Sequence, residues 1–368
     1  MEVGLQFIFQ NTHEGLSDQE MMLKETEIVL LAEEVGMDFA LLPEHHFDPG
    51  YAMMPDNMQW LSYLAGRTSR IKLGTGAIIL PWWPNPTRVA EKISLLETVL
   101  GDRFLLGFGR GLARQEYEAF GIDMNESRER FDEAAEIILD ILDTGVAEYD
   151  TKYFKQSRTE VHPTPRGGYR EKGFFSVAMT PDSGVAAANL GATMMSFVQL
   201  PWEQHSAAVD AWRARFKEVH PDKEPGAPVF SDFTFCHEDA EVAEKVAREY
   251  LSKYYLSVIK HYDFDGTHWK DTKGYTAYAA GADAIREAGL EAAAEGFVQS
   301  QAWGTPERII DIWRKRVEMT GDVRPAMAVS YAGMPHELVQ SSLRLIGEKV
   351  VPELHKITAE SVKSGATA

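Results

Sequence analysis

Two adjacent histidines are the side chains of this sequence best suited to proton chemistry. His45 and His46 follow the apolar run at residues 38–42, which predicts a β-strand. Histidine gains and loses a proton near neutral pH, so it can act there as an acid, a base or a hydrogen-bond partner. Because side chains alternate along a strand, the two rings cannot both face the same side. A histidine bonded only to a backbone carbonyl is the structural alternative, and the pattern leaves open which ring is functional.

A second group of candidates lies in the glycine-rich run Gly107-Phe108-Gly109-Arg110-Gly111-Leu112. Alternating glycines remove side chains from one face of a strand and let a flat ligand approach the backbone. Arg110 then offers a planar cation suited to phosphate. The run lacks the spacing of a dinucleotide-binding loop, because Leu112 stands where the third glycine belongs. A strand bulge beside a solvated arginine is an equally simple interpretation.

Two more strand ends carry flexible or polar residues. Gly76 and Ala77 lie in a β-branched strand after the histidines, where glycine permits an unusual backbone conformation. Thr180 and Ser183 stand at the start of a predicted helix. Hydroxyls and free amides at a helix N-terminus bind phosphate, although the same residues also act as ordinary helix caps.

Aromatic side chains near the same strand ends predict a pocket wall. Trp82 and Trp83 lie in a proline-bounded loop after the strand that contains Gly76, and Phe197 follows another strand. Together they favour a pocket for an apolar or aromatic molecule. Anchoring of the loop is the commoner role of such tryptophans.

Strands and helices alternate along the chain that must position these residues. Strands are predicted over residues 3–9, 38–42, 71–79, 103–108, 174–178, 192–196, 229–235 and 326–330, with a hairpin near 148–156. Helices are predicted over 17–36, 55–68, 86–100, 127–142, 183–190, 202–219, 240–256, 306–319 and 336–350. Eight strand–helix repeats without a change of composition predict one α/β domain, a (β/α)8 TIM barrel over residues 1–357. In such a barrel the active site lies at the carboxyl ends of the strands, where the candidates above fall.

A long insertion precedes the last strand–helix unit of the predicted barrel. Residues 260–295 are polar and rich in glycine and alanine, yet they include Tyr262, Phe264, Trp269, Tyr275 and Tyr278. Long segments of this kind are usually lids or other mobile loops. We expect a mobile lid that closes over a ligand at the barrel mouth, with a solvated insertion as the alternative. Residues 358–368 predict a flexible tail.

Composition excludes several classes of function. The 368 residues carry 37 Lys and Arg against 56 Asp and Glu, a net charge of −19, which disfavours nucleic acid and membrane surfaces as partners. The N-terminus has no signal-peptide pattern, so a cytoplasmic location is expected. One cysteine, Cys236, excludes an internal disulfide or a multi-cysteine metal site. Motifs of metalloproteases, P-loop proteins and serine hydrolases are missing, and we predict no metal site.

Five strings in this order carry a resemblance to a known family: LLPEHHF, GTGAIILP, GFGRGL, GTPERI and SLRLIGEKVVPEL. Each string alone is weakly specific, but the combination resembles the bacterial luciferase-like, flavin-dependent monooxygenases. The likeness covers nearly all of residues 1–355 and is nearest to the luciferase α-subunit branch. It implies a barrel that holds reduced FMN (FMNH2) at its carboxyl mouth. It also implies that O2 reacts through a flavin C4a-peroxide to oxygenate a small organic substrate.

The resemblance assigns roles to particular residues. His45 matches the catalytic histidine of the family, and Gly76-Ala77 matches a non-proline cis peptide beneath the flavin ring. Contacts to the flavin phosphate match Arg110, the amide of Leu112, Thr180 and Ser183, with Met179 beside them. The substrate pocket would include Trp82, Trp83 and Phe197.

The resemblance also implies partners. It implies a separate NAD(P)H:flavin reductase that supplies the reduced flavin, which agrees with the lack of a nicotinamide-binding motif. A homodimer is expected, because the helix near residues 57–68 is apolar on more than one face.

Three positions depart from the luciferase pattern and leave other activities open. Gly109 replaces a reactive cysteine, Met179 an acidic residue and Phe197 a tryptophan, which argues against light emission from a long-chain aldehyde. An F420-dependent oxidoreductase that transfers hydride on the same barrel is one alternative. A flavin-binding barrel without catalysis is another. The EHHF string favours FMN over F420.

Overall fold

The short apolar runs of the sequence form parallel strands in the computed structural model, which describes residues 1–363. The strands are β1 Gly4–Gln6, β2 Phe39–Leu42, β3 Lys72–Thr75, β4 Ile78–Ile79, β5 Phe104–Leu105, β6 Gly107–Gly109, β7 Val146–Asp150, β8 Lys155–Glu160, β9 Phe175–Val177, β10 Thr193–Phe197, β11 Val229–Phe233 and β12 Arg324–Ala328. All of them pair in parallel except β7 and β8, which form the expected antiparallel hairpin.

Helices follow the strands and cover the outside of the sheet. They are α1 Asp18–Glu34, α2 Asn57–Ala65, α3 Pro86–Leu100, α4 Arg114–Ala119, α5 Ser127–Thr144, α6 Tyr169–Lys172, α7 Pro181–Leu190, α8 Trp202–Val219, α9 Ala240–Tyr262, α10 Ala277–Ala288, α11 Leu290–Ser300, α12 Pro306–Thr320, α13 His336–Leu345, α14 Val351–Lys356 and α15 Ala359–Lys363. None of the helices within residues 1–363 is long and apolar enough to cross a membrane.

The parallel sheet closes into a barrel in which two of the strands are each interrupted once. β3 and β4 are the two halves of one strand, and β5 and β6 are the halves of the next. β3 pairs with β5, and β4 pairs with β6, which then pairs with β9. The ring continues through β10, β11 and β12, and β12 returns to β1. The predicted (β/α)8 barrel is therefore confirmed, with eight strand positions around it.

Local signals in the sequence place several helix ends where they were expected. The Ser17 side chain accepts a hydrogen bond from the Glu20 amide, and the Glu20 carboxylate accepts one from the Ser17 amide, which forms a capping box for α1. Asn85 caps α3, and Thr305 caps α12, each followed by proline in the first turn. The predicted bounds of α3 and α8 match the structure.

The segment before the last strand–helix unit contains more helix than the sequence suggested. α9 extends to Tyr262, past its predicted end at 256, and α10 and α11 occupy most of the remainder. Phe264, Trp269 and Tyr275 are buried in the main core. α11 packs along α9 and places Phe297 in the core, so this part belongs to the barrel wall. We call residues 263–289 the covering segment; its motion remains a prediction. Part of the predicted tail forms α15, and residues 364–368 lie outside the described residues.

Candidate active site at the barrel mouth

The carboxyl ends of the strands surround a cavity of about 1160 Å³, part of which is open to solvent. Most of the residues expected at the site line it: His45, Gly76, Ala77, Arg110, Leu112, Met179, Ser183 and Phe197. Thr180, Trp82 and Trp83 lie outside the lining.

The structure distinguishes the two adjacent histidines. His45 lines the cavity, whereas His46 is directed away, with Nε2 at 3.4 Å from the Glu44 carboxylate. The ring of His46 packs edge-on against Trp82 and Phe120. The alternation of side chains after β2 therefore gives one histidine to the cavity and the other to the surrounding packing.

Both ring nitrogens of His45 have a polar neighbour. Nδ1 lies 3.2 Å from Oε1 of Glu116, which also accepts a hydrogen bond from the His46 amide at 2.7 Å. Nε2 lies 3.4 Å from the hydroxyl of Tyr262 at the end of α9. The Glu116 side chain is completely buried. A carboxylate at Nδ1 favours a proton on that nitrogen, which leaves Nε2 to exchange a proton with the cavity.

The cavity floor is made of backbone at the interruptions in the barrel strands. The Gly76–Ala77 peptide is cis, as the family resemblance implied. Asn57 donates hydrogen bonds from Nδ2 to the carbonyls of Leu42 and Ala77, at 3.2 and 3.0 Å. A Cβ on Gly76 would lie 2.8 Å from the Leu41 Cβ, and neighbouring side chains crowd Gly109 similarly. Glycine at these positions leaves room for the side chains that pack closely around the floor.

One end of the cavity is cationic. Arg110 and Arg128 both line it, and Arg128 comes from the first turn of α5. Burial and the neighbouring Arg110 lower the pKa of Arg128, and Asp132 is the carboxylate closest to it, at 3.5 Å. Ser183 lines the same cavity at the start of α7. Two adjacent guanidinium groups with few compensating carboxylates form a suitable site for an anion such as phosphate.

The covering segment closes over this cationic end. The guanidinium of Arg110 lies 3.8 Å from the centre of the Tyr275 ring and donates to the Gly274 carbonyl at 3.0 Å. The Tyr275 hydroxyl donates to the carbonyl of Gly111 at 2.7 Å. Tyr275 and Tyr278 therefore form part of the cavity wall.

The sequence of the chain matches a known protein family over most of its length. The sequence model of the luciferase-like monooxygenases matches residues 1–322. The chain belongs to the luciferase-like monooxygenase family. This confirms the expected class of enzyme, a monooxygenase.

Relatives and solved structures agree with the family over almost the full length. The alkanal monooxygenase alpha chain of Photorhabdus laumondii is 26% identical over 354 residues, covering 92% of this chain and 94% of that protein. Monooxygenase RslO1 from Streptomyces bottropensis superposes with a TM-score of 0.76 at 23% identity, covering 96% of this chain and 100% of that one.

Two further solved structures show which cofactors other proteins of this fold bind. The oxygenating constituent of 3,6-diketocamphane monooxygenase from Pseudomonas putida, in complex with FMN, has a TM-score of 0.75 at 19% identity, covering 96% and 98% of the two chains. An F420-dependent secondary alcohol dehydrogenase has a TM-score of 0.69 at 14% identity, covering 96% and 99%. The fold is thus shared by FMN and F420 proteins.

The cavity of this luciferase-like monooxygenase fits a flavin by its own geometry. Gly76, Ala77 and Gly109 offer backbone and small side chains beside which a planar ring can lie, and the paired arginines form an end suited to a phosphate. The Gln6 side chain lines the cavity and is buried, and its Oε1 has no hydrogen-bond partner within residues 1–363. A buried acceptor without a partner is costly, and an N–H donor of a bound ring would satisfy it.

Trp82 and Trp83 are a correction to the predicted pocket. Trp82 packs against His46 and Tyr117, and the Trp83 indole donates to the Glu44 carboxylate at 3.2 Å. Glu44 also accepts from the Ile79 amide at 2.9 Å, so both tryptophans anchor the loop after β4. Thr180 is likewise a helix cap, with its side chain bonded to Ser183. The apolar walls instead come from Phe197, Phe233 and Tyr254.

Three polar residues of the site carried no local signal that the sequence analysis used. Glu116 lies in α4, which has six residues and no side-chain cap. Arg128 lies in the first turn of a helix that was predicted, but the direction of its side chain depends on how α5 packs. Gln6 lies within the first predicted strand, where only the strand register shows that its side chain enters the barrel.

Proposed function

We propose that this luciferase-like monooxygenase binds reduced FMN at the barrel mouth and uses O2 to oxygenate a small apolar or aromatic molecule. The observation that carries the proposal is the arrangement of one cavity: a histidine at one side, a floor that includes glycine backbone, and two arginines at the far end. The FMN-bound neighbour of the same fold supports this choice of cofactor.

Residues of the cationic end would hold the phosphate of FMN. Arg110 and Arg128 supply charged donors, and the Ser183 hydroxyl and the Leu112 amide supply neutral ones. The ring system would lie on Gly76, Ala77 and Gly109, with Gln6 Oε1 as acceptor for a ring N–H. Reduced FMN supplies the electrons that activate O2, while the protein provides position, charge and exclusion of water.

His45 would hold and move a proton at Nε2. Glu116 fixes the ring through Nδ1, and the Tyr262 hydroxyl is near Nε2 on the cavity side. The aromatic wall around Phe197, Phe233 and Tyr254 suits an apolar or aromatic substrate.

The activity test compares FMN with F420. We expect reduced FMN to bind, and rapid mixing with ¹⁸O2 and candidate aromatic substrates to give product that contains one labelled oxygen atom. Tight binding of F420 with hydride transfer and no incorporation of oxygen would replace the proposal with the dehydrogenase alternative. Binding of FMN without any product or accelerated oxidation would indicate a non-catalytic flavin-binding barrel.

Replacing Arg110 with alanine should weaken the binding of reduced FMN far more than that of reduced riboflavin, because only FMN carries the phosphate. Loss of a charge-assisted bond of about 1.5–3 kcal/mol corresponds to about 10- to 150-fold in affinity. Titration of both flavins by fluorescence quenching under anaerobic conditions measures this. Arg88→Ala, an exposed arginine on α3, is the matched control. Equal losses for both flavins would place the phosphate elsewhere.

We also infer a homodimer and a separate NAD(P)H:flavin reductase as partners. Met58 and Leu61 of α2 are buried in the barrel, whereas Tyr63 of α2 and Leu95 and Val99 of α3 are apolar side chains exposed by 39%, 52% and 50%. A second copy would cover this face. Light scattering at micromolar concentration should give a dimer, and Leu95→Glu should shift it to the monomer. A stable wild-type monomer would contradict the inference.

A further inference from the structure

A line of four titratable side chains runs from the cavity to the protein surface behind His45. His45 Nδ1 lies 3.2 Å from Glu116 Oε1, and Glu116 Oε2 lies 3.9 Å from His261 Nε2. His261 Nδ1 lies 3.1 Å from Asp48 Oδ2, and the side-chain amide of Gln115 lies 2.7 Å from the same nitrogen. The side chains of Glu116 and His261 are completely buried, whereas that of Asp48 is 21% exposed. The line therefore begins at the cavity and ends at solvent.

The middle of this line contains two orphaned atoms. Glu116 Oε2 and His261 Nε2 are both buried, and neither has a hydrogen-bond partner in the part of the chain that the structure describes. A carboxylate oxygen and an imidazole nitrogen that face each other need a proton between them to avoid the cost of unpaired buried acceptors. A movement of about 1 Å would bring the two atoms to hydrogen-bond distance.

We propose that Glu116, His261 and Asp48 form a proton path that connects His45 with solvent while the cavity is covered. The proposal rests on the function proposed above, in which His45 exchanges a proton at Nε2. When His45 takes up a proton at Nε2 from the cavity, its Nδ1 proton passes to Glu116 Oε1, and Glu116 passes the proton on Oε2 to His261 Nε2. His261 passes its Nδ1 proton to Asp48, which releases it to water. One proton crosses, and each group regains its own after the rings return to their starting tautomers.

The surroundings of the path suit transient rather than permanent charge. Burial lowers the pKa of His261, with Asp48 acting in the opposite direction. The hydrogen bond with His261 lowers the pKa of Asp48, which keeps the surface end ionised. The titratable and charged groups that face His261 are His45, Asp48 and Tyr51 from the loop after β2, Glu116 from α4, and Lys260 and Tyr262 from α9.

The tyrosines beside His45 are poor alternatives as proton stores. Tyr51 and Tyr262 share a hydrogen bond of 3.0 Å between their hydroxyls. Burial raises the pKa of Tyr51 to about 12 and that of Tyr262 well above its usual value. These hydroxyls keep their protons at neutral pH, so the carboxylate and imidazole groups of the path must exchange them.

The first test needs no flavin. With ¹⁵N-labelled histidine, the ring signals of His45 and His261 should change together as the pH falls, because the two rings share protons through Glu116. In Glu116→Gln the two rings should respond independently, while His162→Gln, at an exposed site, should leave their coupling unchanged. Independent responses of the two rings in the wild-type protein would overturn the proposal.

The second test uses the active enzyme with FMN. Asp48→Asn and His261→Gln should lower kcat about tenfold and raise the solvent isotope effect, with KM for the substrate unchanged. Asp48 lies at the surface, so its variant reports on the path even where a buried substitution disturbs folding. Wild-type kcat and isotope effect in folded Asp48→Asn and His261→Gln would overturn the proposal. Stoichiometric binding of zinc that Glu116→Gln abolishes would also overturn the proposal, because His45, Glu116 and His261 would then hold a metal ion rather than carry protons. If the wild-type protein does not oxygenate, the proposed function fails, and the first test, which needs no activity, decides the proton path alone.

Discussion

Replacing His45 with alanine should abolish oxygenation while the barrel and the binding of reduced FMN are retained. His45 is the only one of the two adjacent histidines that lines the cavity, and Glu116 and Tyr262 hold its ring on both sides. Loss of a positioned acid or base typically costs about 10²- to 10⁴-fold in rate. We expect this loss in the yield of oxygenated product, with consumption of O2 continuing as release of hydrogen peroxide. The ratio of product to hydrogen peroxide, measured in single-turnover mixing, is the direct readout.

His46→Ala is the matched control for this prediction. His46 contacts Glu44, Trp82 and Phe120 outside the cavity lining, so its loss should reduce stability but leave the ratio of product to hydrogen peroxide close to the wild-type value. If His45→Ala forms product at the wild-type rate while His46→Ala does not, the assignment of the two rings is reversed. Circular dichroism of both variants separates loss of fold from loss of chemistry.

The expected site residues that line the cavity all depend on local pattern. His45, Gly76 and Arg110 stand at the ends of strands whose apolar runs are visible in the sequence, and a closed barrel brings such ends together at one mouth. The cis peptide at Gly76–Ala77 came from the family resemblance, because no local pattern in a single sequence specifies it.

The parts that were missed depend on contacts between distant segments. Trp82 and Trp83 have the composition of a pocket wall, but Glu44 and His46 from another strand determine where the two indoles point. Glu116 reaches His45 only because α4 lies beside the loop after β2, a contact across 71 positions of the chain. Residues 277–300 did carry a signal, since their alanine and glutamate content favours helix. Their glycines made the segment resemble a loop instead.

Replacing Tyr275 with alanine should open the covering segment and release hydrogen peroxide in place of product. The Tyr275 side chain is completely buried, its hydroxyl bonds Gly111, and its ring stacks on Arg110. Truncation of a buried aromatic side chain costs about 3–5 kcal/mol. Outside Tyr275, the tip of the segment is held mainly by exposed polar contacts, such as Lys273 with Glu129 at 2.8 Å, which contribute little. Removal of Tyr275 should therefore shift the tip around Lys273 towards an open state, while Phe264 and Trp269 keep the rest of the segment in the core.

Two measurements follow the opening and its consequence separately. Trypsin should cleave Tyr275→Ala faster at Lys270 and Lys273, and FMN should slow the cleavage because its phosphate engages Arg110 beside the segment. Tyr275→Phe keeps the ring over Arg110 and loses one hydrogen bond of about 1 kcal/mol, so it should remain closer to the wild type in both measurements. Faster cleavage with an unchanged ratio of product to hydrogen peroxide would show that the segment opens but does not protect the reaction. Water would then have to be excluded by the deeper wall around Phe197 and Tyr254, which lies below the covering segment whether it is open or closed.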